Sequence, residues 1–147
     1  MKIFLATNNR GKIDRFKNLL KQVDKNIEVY IPSDLNMEMM DVVETGKNLA
    51  ENARLKANAY FGKINMPILS NDTGLYVKGE GFVDAPKRKA LGEIDENTLS
   101  EEEISKRILS FWKGVATRHG GKVDAAWIEA FIVLYPSGEV KEAESQR

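Results

Sequence analysis

The chain has 147 residues, 42% of them apolar, which is the size of one ordinary domain with one packed core. Lys plus Arg and Asp plus Glu both number 22, a balance that excludes a broad basic surface for a nucleic-acid polymer or an acidic membrane. There is no cysteine, which excludes disulfides and thiolate metal sites, and the apolar start at residues 3–6 is too short for a signal peptide or a membrane span, so a soluble cytoplasmic protein is expected.

Residues 2–6 form an apolar run that enters the polar stretch Thr7-Asn8-Asn9-Arg10-Gly11-Lys12, which predicts a strand running into a loop. Ile13, Phe16, Leu19 and Leu20 then recur at helical spacing and predict the buried face of a first helix. Residues 27–31 predict a second strand, stopped by Pro32-Ser33-Asp34, while residues 37–43 fit no single period. A second helix is expected from a cap at Thr45 or Asn48 to about Phe61, with Leu49, Ala53, Ala57, Tyr60 and Phe61 apolar and Gly62 as its stop.

Pro67-Ile68-Leu69 predicts a short strand that enters a tight turn at Ser70-Asn71-Asp72-Thr73-Gly74. Residues 78–96 hold several Gly and Pro residues and read as a long loop. Ser100 opens a third helix with Glu103 in capping-box position, and Ile104, Ile108, Phe111 and Trp112 form its apolar face. Residues 126–135 are apolar on both alternating faces except at Glu129, which predicts a central strand, followed by a Pro136-Ser137-Gly138 turn and the start of another strand. Trp112 and Trp127 are expected in the core and His119, in a Gly-rich loop, at the surface. Strands alternating with helices predict an α/β domain with a mixed sheet over residues 1–147.

Three stretches carry chemistry. The loop at residues 7–12 leaves a strand and opens a helix, so it aims backbone N–H groups and the positive helix end at one point; Thr7, Asn9 and Lys12 add donors and a cation. That combination suits a phosphate, or it is a plain turn with a solvated lysine. Asn48, Asn52 and Lys56 lie four apart on one helix face, with Glu44 just before the helix. This is either a row that tracks a polyphosphate with a carboxylate for a divalent cation, or a solvated polar stripe. Asp72, at the end of a buried strand, can ligate Mg²⁺, orient a water, or cap a turn. Together the three supply a phosphate cradle, a cation row and two carboxylates, the inventory of metal-assisted phosphoryl chemistry.

In this order and spacing, Leu5-Ala6-Thr7-Asn8-Asn9-Arg10-Gly11-Lys12, Glu44-Thr45-Gly46 with Glu51-Asn52-Ala53-Arg54-Leu55-Lys56-Ala57, and Asn71-Asp72-Thr73-Gly74-Leu75-Tyr76-Val77 resemble the inosine triphosphate pyrophosphatase family, the Ham1-like enzymes that act on non-canonical purine nucleoside triphosphates. The resemblance implies an elongated mixed β-sheet flanked by helices, an ITPase-like fold shortened at the C-terminus, and a homodimer. It implies Mg²⁺-dependent hydrolysis of ITP, XTP and dITP to the monophosphate and pyrophosphate; the alternative is a nucleotide-binding protein without turnover. It implies substrate contacts at Thr7, Asn9, Lys12, Asn52, Lys56, Thr73 and Gly74, metal ligands at Glu44 and Asp72, and a catalytic role for Asp72. Three departures stand out: Asn71 where the family usually has a carboxylate, Arg15 where the first helix usually has Glu, and the basic run Lys87-Arg88-Lys89.

Overall fold

A computed structural model describes residues 1–83 and 85–147. The strands are β1 (Lys2–Leu5), β2 (Glu28–Tyr30), β3 (Ile68–Val77), β4 (Gly81–Val83), β5 (Ala125–Leu134) and β6 (Val140–Gln146). The helices are α1 (Arg10–Val23), α2 (Leu49–Asn58), α3 (Pro86–Leu91) and α4 (Glu101–Arg118), with 3-10 turns at Pro32–Leu35 and Glu96–Thr98. The strands form one mixed sheet in the order β2-β1-β3-β5-β6, with β4 beside β3. β1 runs parallel to both β2 and β3, and β4 runs antiparallel to β3. The expected mixed α/β fold is the one observed.

The chain divides into two compact units, the first made of Met1–Asp72 and Glu129–Ser145 and the second of Thr73–Ile128 with Gln146–Arg147. In the first unit β1 is buried on both faces, as an interior strand of parallel pairs must be. Strand alternation sends Phe4 and Ala6 into a cluster with Ala53, Ala57, Tyr60, Ile68 and Ile132. The same alternation sends Ile3 and Leu5 to the opposite face, against Phe16 and Ile27. α2 covers the first cluster and α1 the second. The small side chains Ala53 and Ala57 are completely buried, so the α2 backbone lies close to the sheet. Ser70 Oγ donates to the Ala53 carbonyl and locks β3 to α2.

Helix boundaries follow their caps. Asn9 accepts from Lys12 N at 3.1 Å to open α1, and Asn48, rather than Thr45, accepts from Glu51 N at 2.9 Å to open α2. α2 ends before Gly62, which takes φ +77. Leu19 and Phe61, expected on buried faces, are 48% and 46% exposed. α2 ends at Asn58, so Phe61 falls in the turn that follows it.

Two stretches correct the sequence reading. Residues 70–74 are not a tight turn: they continue β3 without a break. Gly74 is needed for contact and not for a turn, because a Cβ there would lie 2.3 Å from Cζ of Phe82 on the neighbouring strand. The stretch 78–96 is not one long loop. Gly79 and Gly81, at φ +86 and +90, reverse the chain into β4, and Pro86 then starts α3 from its first turn.

α4 has the expected capping box, Ser100 with Glu103. Of its apolar face only Val115 is fully buried, and Phe111 and Trp112 pack edge to face at 5.0 Å. Trp127, expected in the core, is 39% exposed. It and Trp112 line an open apolar groove of about 440 Å³ beside α4. His119 ends α4 and joins Arg118 on the Glu80 carboxylate, which these two partners hold below the usual carboxylate range. No helix of the described residues is long and apolar enough to cross a membrane.

Tyr60 is fully buried, and its hydroxyl accepts from Met40 N at 2.9 Å, pinning the segment that the sequence left unassigned. Tyr60→Phe strands that buried N–H and is expected to destabilise the chain by about 1–3 kcal/mol in chemical denaturation.

Candidate functional site

At the ends of β1 and α2 the first unit opens into a cleft of about 370 Å³, whose walls include Thr7, Lys12, Asp41, Glu44, Lys56 and Asn71. Lys12, Asn52, Lys56 and Asp72 reach this region for local reasons. Lys12 stands on the first turn of α1, directly after the Asn9 cap. Asn52 and Lys56 project from the side of α2 that flanks the buried Ala53 and Ala57, so both reach Asp72 on β3. Asp72 lies inside β3, one residue beyond Asn71, and both are buried.

The side chains converge on one point. Lys56 Nζ lies 2.7 Å from Asp72 Oδ1 and 3.0 Å from Glu44 Oε1. Asn52 Nδ2 donates to the other Asp72 oxygen at 3.4 Å, and Asn52 Oδ1 accepts from Gly46 N at 2.8 Å. Asn52 therefore ties the Glu44–Gly46 loop to Asp72. Gly46 is required for that approach, since a Cβ there would fall 2.6 Å from Asn52 Oδ1.

The residues of the first loop divide. Thr7 and Lys12 line the cleft. Asn9 does not line it; its side-chain oxygen caps α1, and its backbone N–H donates to Thr7 Oγ1 at 3.2 Å. Asn48, expected in a row with Asn52 and Lys56, is likewise used as a cap. Thr73 and Gly74 belong to the second unit, where Gly74 lies beneath the Phe82 ring.

Burial pushes the Lys12 ammonium below its ordinary value of 10.5, and the nearby Lys56 charge adds to this. Asp72, Glu129 and Glu44 pull in the opposite direction and do not fully compensate. This makes Lys12 a cation held in a place that favours an added anion.

Glu44 and Asp72 offer only oxygen donors, and the described residues contain no group of three or more His, Cys, Asp or Glu side chains able to hold a metal ion. Two carboxylates without imidazole or thiolate fit a hard divalent cation that takes its remaining oxygens from water and ligand, as Mg²⁺ does. They already converge on a single cation, the Lys56 ammonium, so the donor set suits one positive centre.

Two features escaped the sequence reading. The stretch 39–42 forms one wall of the cleft, held by Tyr60, whose hydroxyl also contacts Met39 Sδ at 3.1 Å. A buried tyrosine hydroxyl at the apolar end of a helix was the available signal. The second is a pair beneath the cleft: Arg15 meets Glu129 at 2.6 Å, with the Glu129 side chain only 5% exposed. The signals were Glu129 interrupting an apolar strand and Arg15 standing where the family usually has an acid, but nothing linked positions so far apart in sequence.

With the fold and cleft described, the chain can be set among known proteins. It belongs to the Ham1 family, whose model matches residues 3–142. It is 39% identical over 102 residues to the dITP/XTP pyrophosphatase of Staphylococcus epidermidis (strain ATCC 12228), covering 67% of this chain and 50% of that protein. The dITP/XTP pyrophosphatase of Aquifex aeolicus is 32% identical over 135 residues, covering 92% of this chain and 64% of that one. The chain thus spans between half and two thirds of the length of these relatives. The Staphylococcus aureus Ham1 protein structure superposes with a TM-score of 0.69 at 25% identity, covering 99% of this chain and 69% of the other. A Mycobacterium abscessus structure described as a nucleoside-triphosphatase and dITP/XTP pyrophosphatase superposes at 0.67 with 21% identity, which speaks to fold alone.

Two stability outcomes follow. The folded-state value of Lys12 lies below its unfolded value, so the unfolded chain binds more protons in the window between them and stability rises with pH there. At neutral pH the full penalty for burying the charge is present. Lys12→Met is therefore expected to raise the melting temperature at pH 7, with the gain shrinking as pH rises toward 10.5 in a thermal-melt series. Arg15→Met leaves the Glu129 charge without its guanidinium and is expected to destabilise by about 2–3 kcal/mol in urea titrations, toward the low side for a buried pair because Arg15 keeps contact with water.

Proposed function

We propose that this chain hydrolyses non-canonical purine nucleoside triphosphates, ITP, XTP and dITP, to the monophosphate and pyrophosphate, with Mg²⁺ as cofactor. The observation that carries this reading is that Lys56, which lines the cleft with Lys12 and Glu44, bonds both Glu44 and the buried Asp72 just behind the cleft wall. The names of the relatives support the substrate class.

A triphosphate carries about four negative charges and needs several cations or aimed donors in a partly dry site. The loop at residues 7–12 answers that need. The first turn of α1 has N–H groups without an intrahelical acceptor, and Thr7 and Lys12 flank them. Asn9 shapes the loop as the α1 cap, with its amide nitrogen as the contact group in this reading. Lys56 and Asn52 extend the same donor surface along α2.

Glu44 and Asp72 would hold the Mg²⁺. When bound, the ion neutralises charge on the phosphate oxygens and lowers the pKa of coordinated water. Asp72, buried and steadied by Asn52, holds the attacking water and accepts its proton through a carboxylate oxygen. The water oxygen bonds to the α-phosphorus, the bond from that phosphorus to the bridging oxygen breaks, and pyrophosphate leaves. Asn71, where the family usually has a second acid, gives this cleft one negative charge fewer. In this reading the protein acts in the cytoplasm as a homodimer.

The test is pyrophosphate release from ITP and XTP with and without Mg²⁺, alongside Asp72→Asn. Asp72→Asn is expected to lose about two to four orders of magnitude in kcat. Triphosphate binding by calorimetry without any release from the wild-type chain would replace this reading with that of a nucleotide-binding module. Equal rates in wild type and Asp72→Asn would remove Asp72 from the chemistry.

A further inference from the structure

The two carboxylates assigned above to the metal already share a cation of the chain's own. Lys56 Nζ is within hydrogen-bond distance of both, and its side chain is 17% exposed against 11% for Asp72. Asn52 donates to the other Asp72 oxygen, so the donors around that carboxylate are protein groups. We propose that Lys56 is a displaceable internal counter-ion that keeps divalent cations out of the cleft until a polyphosphate draws its ammonium away. This inference rests on Glu44 and Asp72 being the metal ligands.

The physical argument is one of exclusion. An ammonium and a divalent ion compete for the same carboxylate oxygens, because two cations so close together repel strongly in a partly buried site. Entry of the metal and departure of Lys56 are therefore one event. In the nucleotide-free chain the departing ammonium gives up two carboxylates at once, and Asp41 is the other carboxylate among the described residues lining the cleft. The metal must then displace a satisfied ion pair, and its affinity falls accordingly. A polyphosphate changes that balance by offering Lys56 an alternative partner at the end of its flexible four-carbon stem. Metal and polyphosphate consequently bind with positive coupling, each raising the affinity of the other by the same factor.

Asn71 fits this arrangement. With a second acid beside Asp72, one ammonium would face three carboxylates and the divalent ion would compete more easily. With Asn71 lining the cleft instead, a single lysine balances much of the local negative charge.

The experiment uses the full chain without nucleotide, titrated with Mn²⁺ and read by the electron-spin-resonance signal of the free ion. Wild type is expected to bind weakly. Lys56→Met is expected to bind at least about ten-fold more tightly, the equivalent of 1.4 kcal/mol. Lys56→Arg, which keeps the charge, is expected to stay weak, and Lys56→Met with Glu44→Gln is expected to return to weak binding. Should Lys56→Met lose its native circular-dichroism spectrum, Lys56→Gln carries the same expectation, since it keeps a donor to both carboxylates without the charge. Wild type and the neutral variant binding Mn²⁺ equally well would overturn the inference while leaving Glu44 and Asp72 as ligands. No Mn²⁺ binding by any of the proteins would overturn both. Neither outcome depends on pyrophosphate release, so the activity can fail or stand separately.

Discussion

The cleft depends on one ammonium group. Lys56 reaches Asp72 on β3 and Glu44 in the loop before α2, so a single cation fastens three segments that are far apart in sequence. Neither carboxylate would be tolerated so close to the other without it, because two like charges in a partly desolvated site raise each other's energy steeply. The pair with Asp72 is the more sheltered of the two and matters more; Glu44 is 45% exposed and keeps much of its hydration. Asn52 completes the arrangement by bonding both the Gly46 backbone and Asp72, which makes the loop follow the helix.

Core packing is what delivers that lysine. Ala53 and Ala57 let α2 approach the sheet closely, and the Ser70 hydroxyl fixes its height against β3. The flank of the same helix, about 100° round from that stripe, then carries Asn52 and Lys56 onto β3 where Asp72 stands. A bulkier residue at Ala53 would lift the helix and open the ion pairs, a loss of function with its cause in the core. Tyr60 extends the same logic to the wall at residues 39–42, which has no regular structure and hangs from its hydroxyl.

Lys12 and the Arg15–Glu129 pair show how the chain accommodates charge beneath the cleft. Lys12 is left in an unfavourable setting, the condition expected of a group kept for an anion rather than for stability. Arg15 adds a second cation one turn later on α1, and Glu129 offsets it from within β5. Phe16 and Phe131 meet edge to face alongside, so α1 packs against the strand that carries Glu129.

The sequence alone determined much of the architecture, because its signals are local. Ser100 caps a helix through its own side chain, Gly62 and Gly138 take the positive φ of turns, and the apolar run of β1 can only be an interior strand. The three motifs also pointed to the cleft, since phosphate-binding chemistry clusters at strand ends and helix starts. Tertiary structure decided whatever depends on a neighbour distant in the chain. Gly74 looked like a turn residue, and only the Phe82 ring across the hairpin shows that it belongs inside a strand. Asn9 and Asn48 looked like ligand donors until their oxygens were found capping helices. Above all, no spacing in the sequence could reveal that Lys56 stands between Glu44 and Asp72, for that contact exists only once α2 has settled on β3.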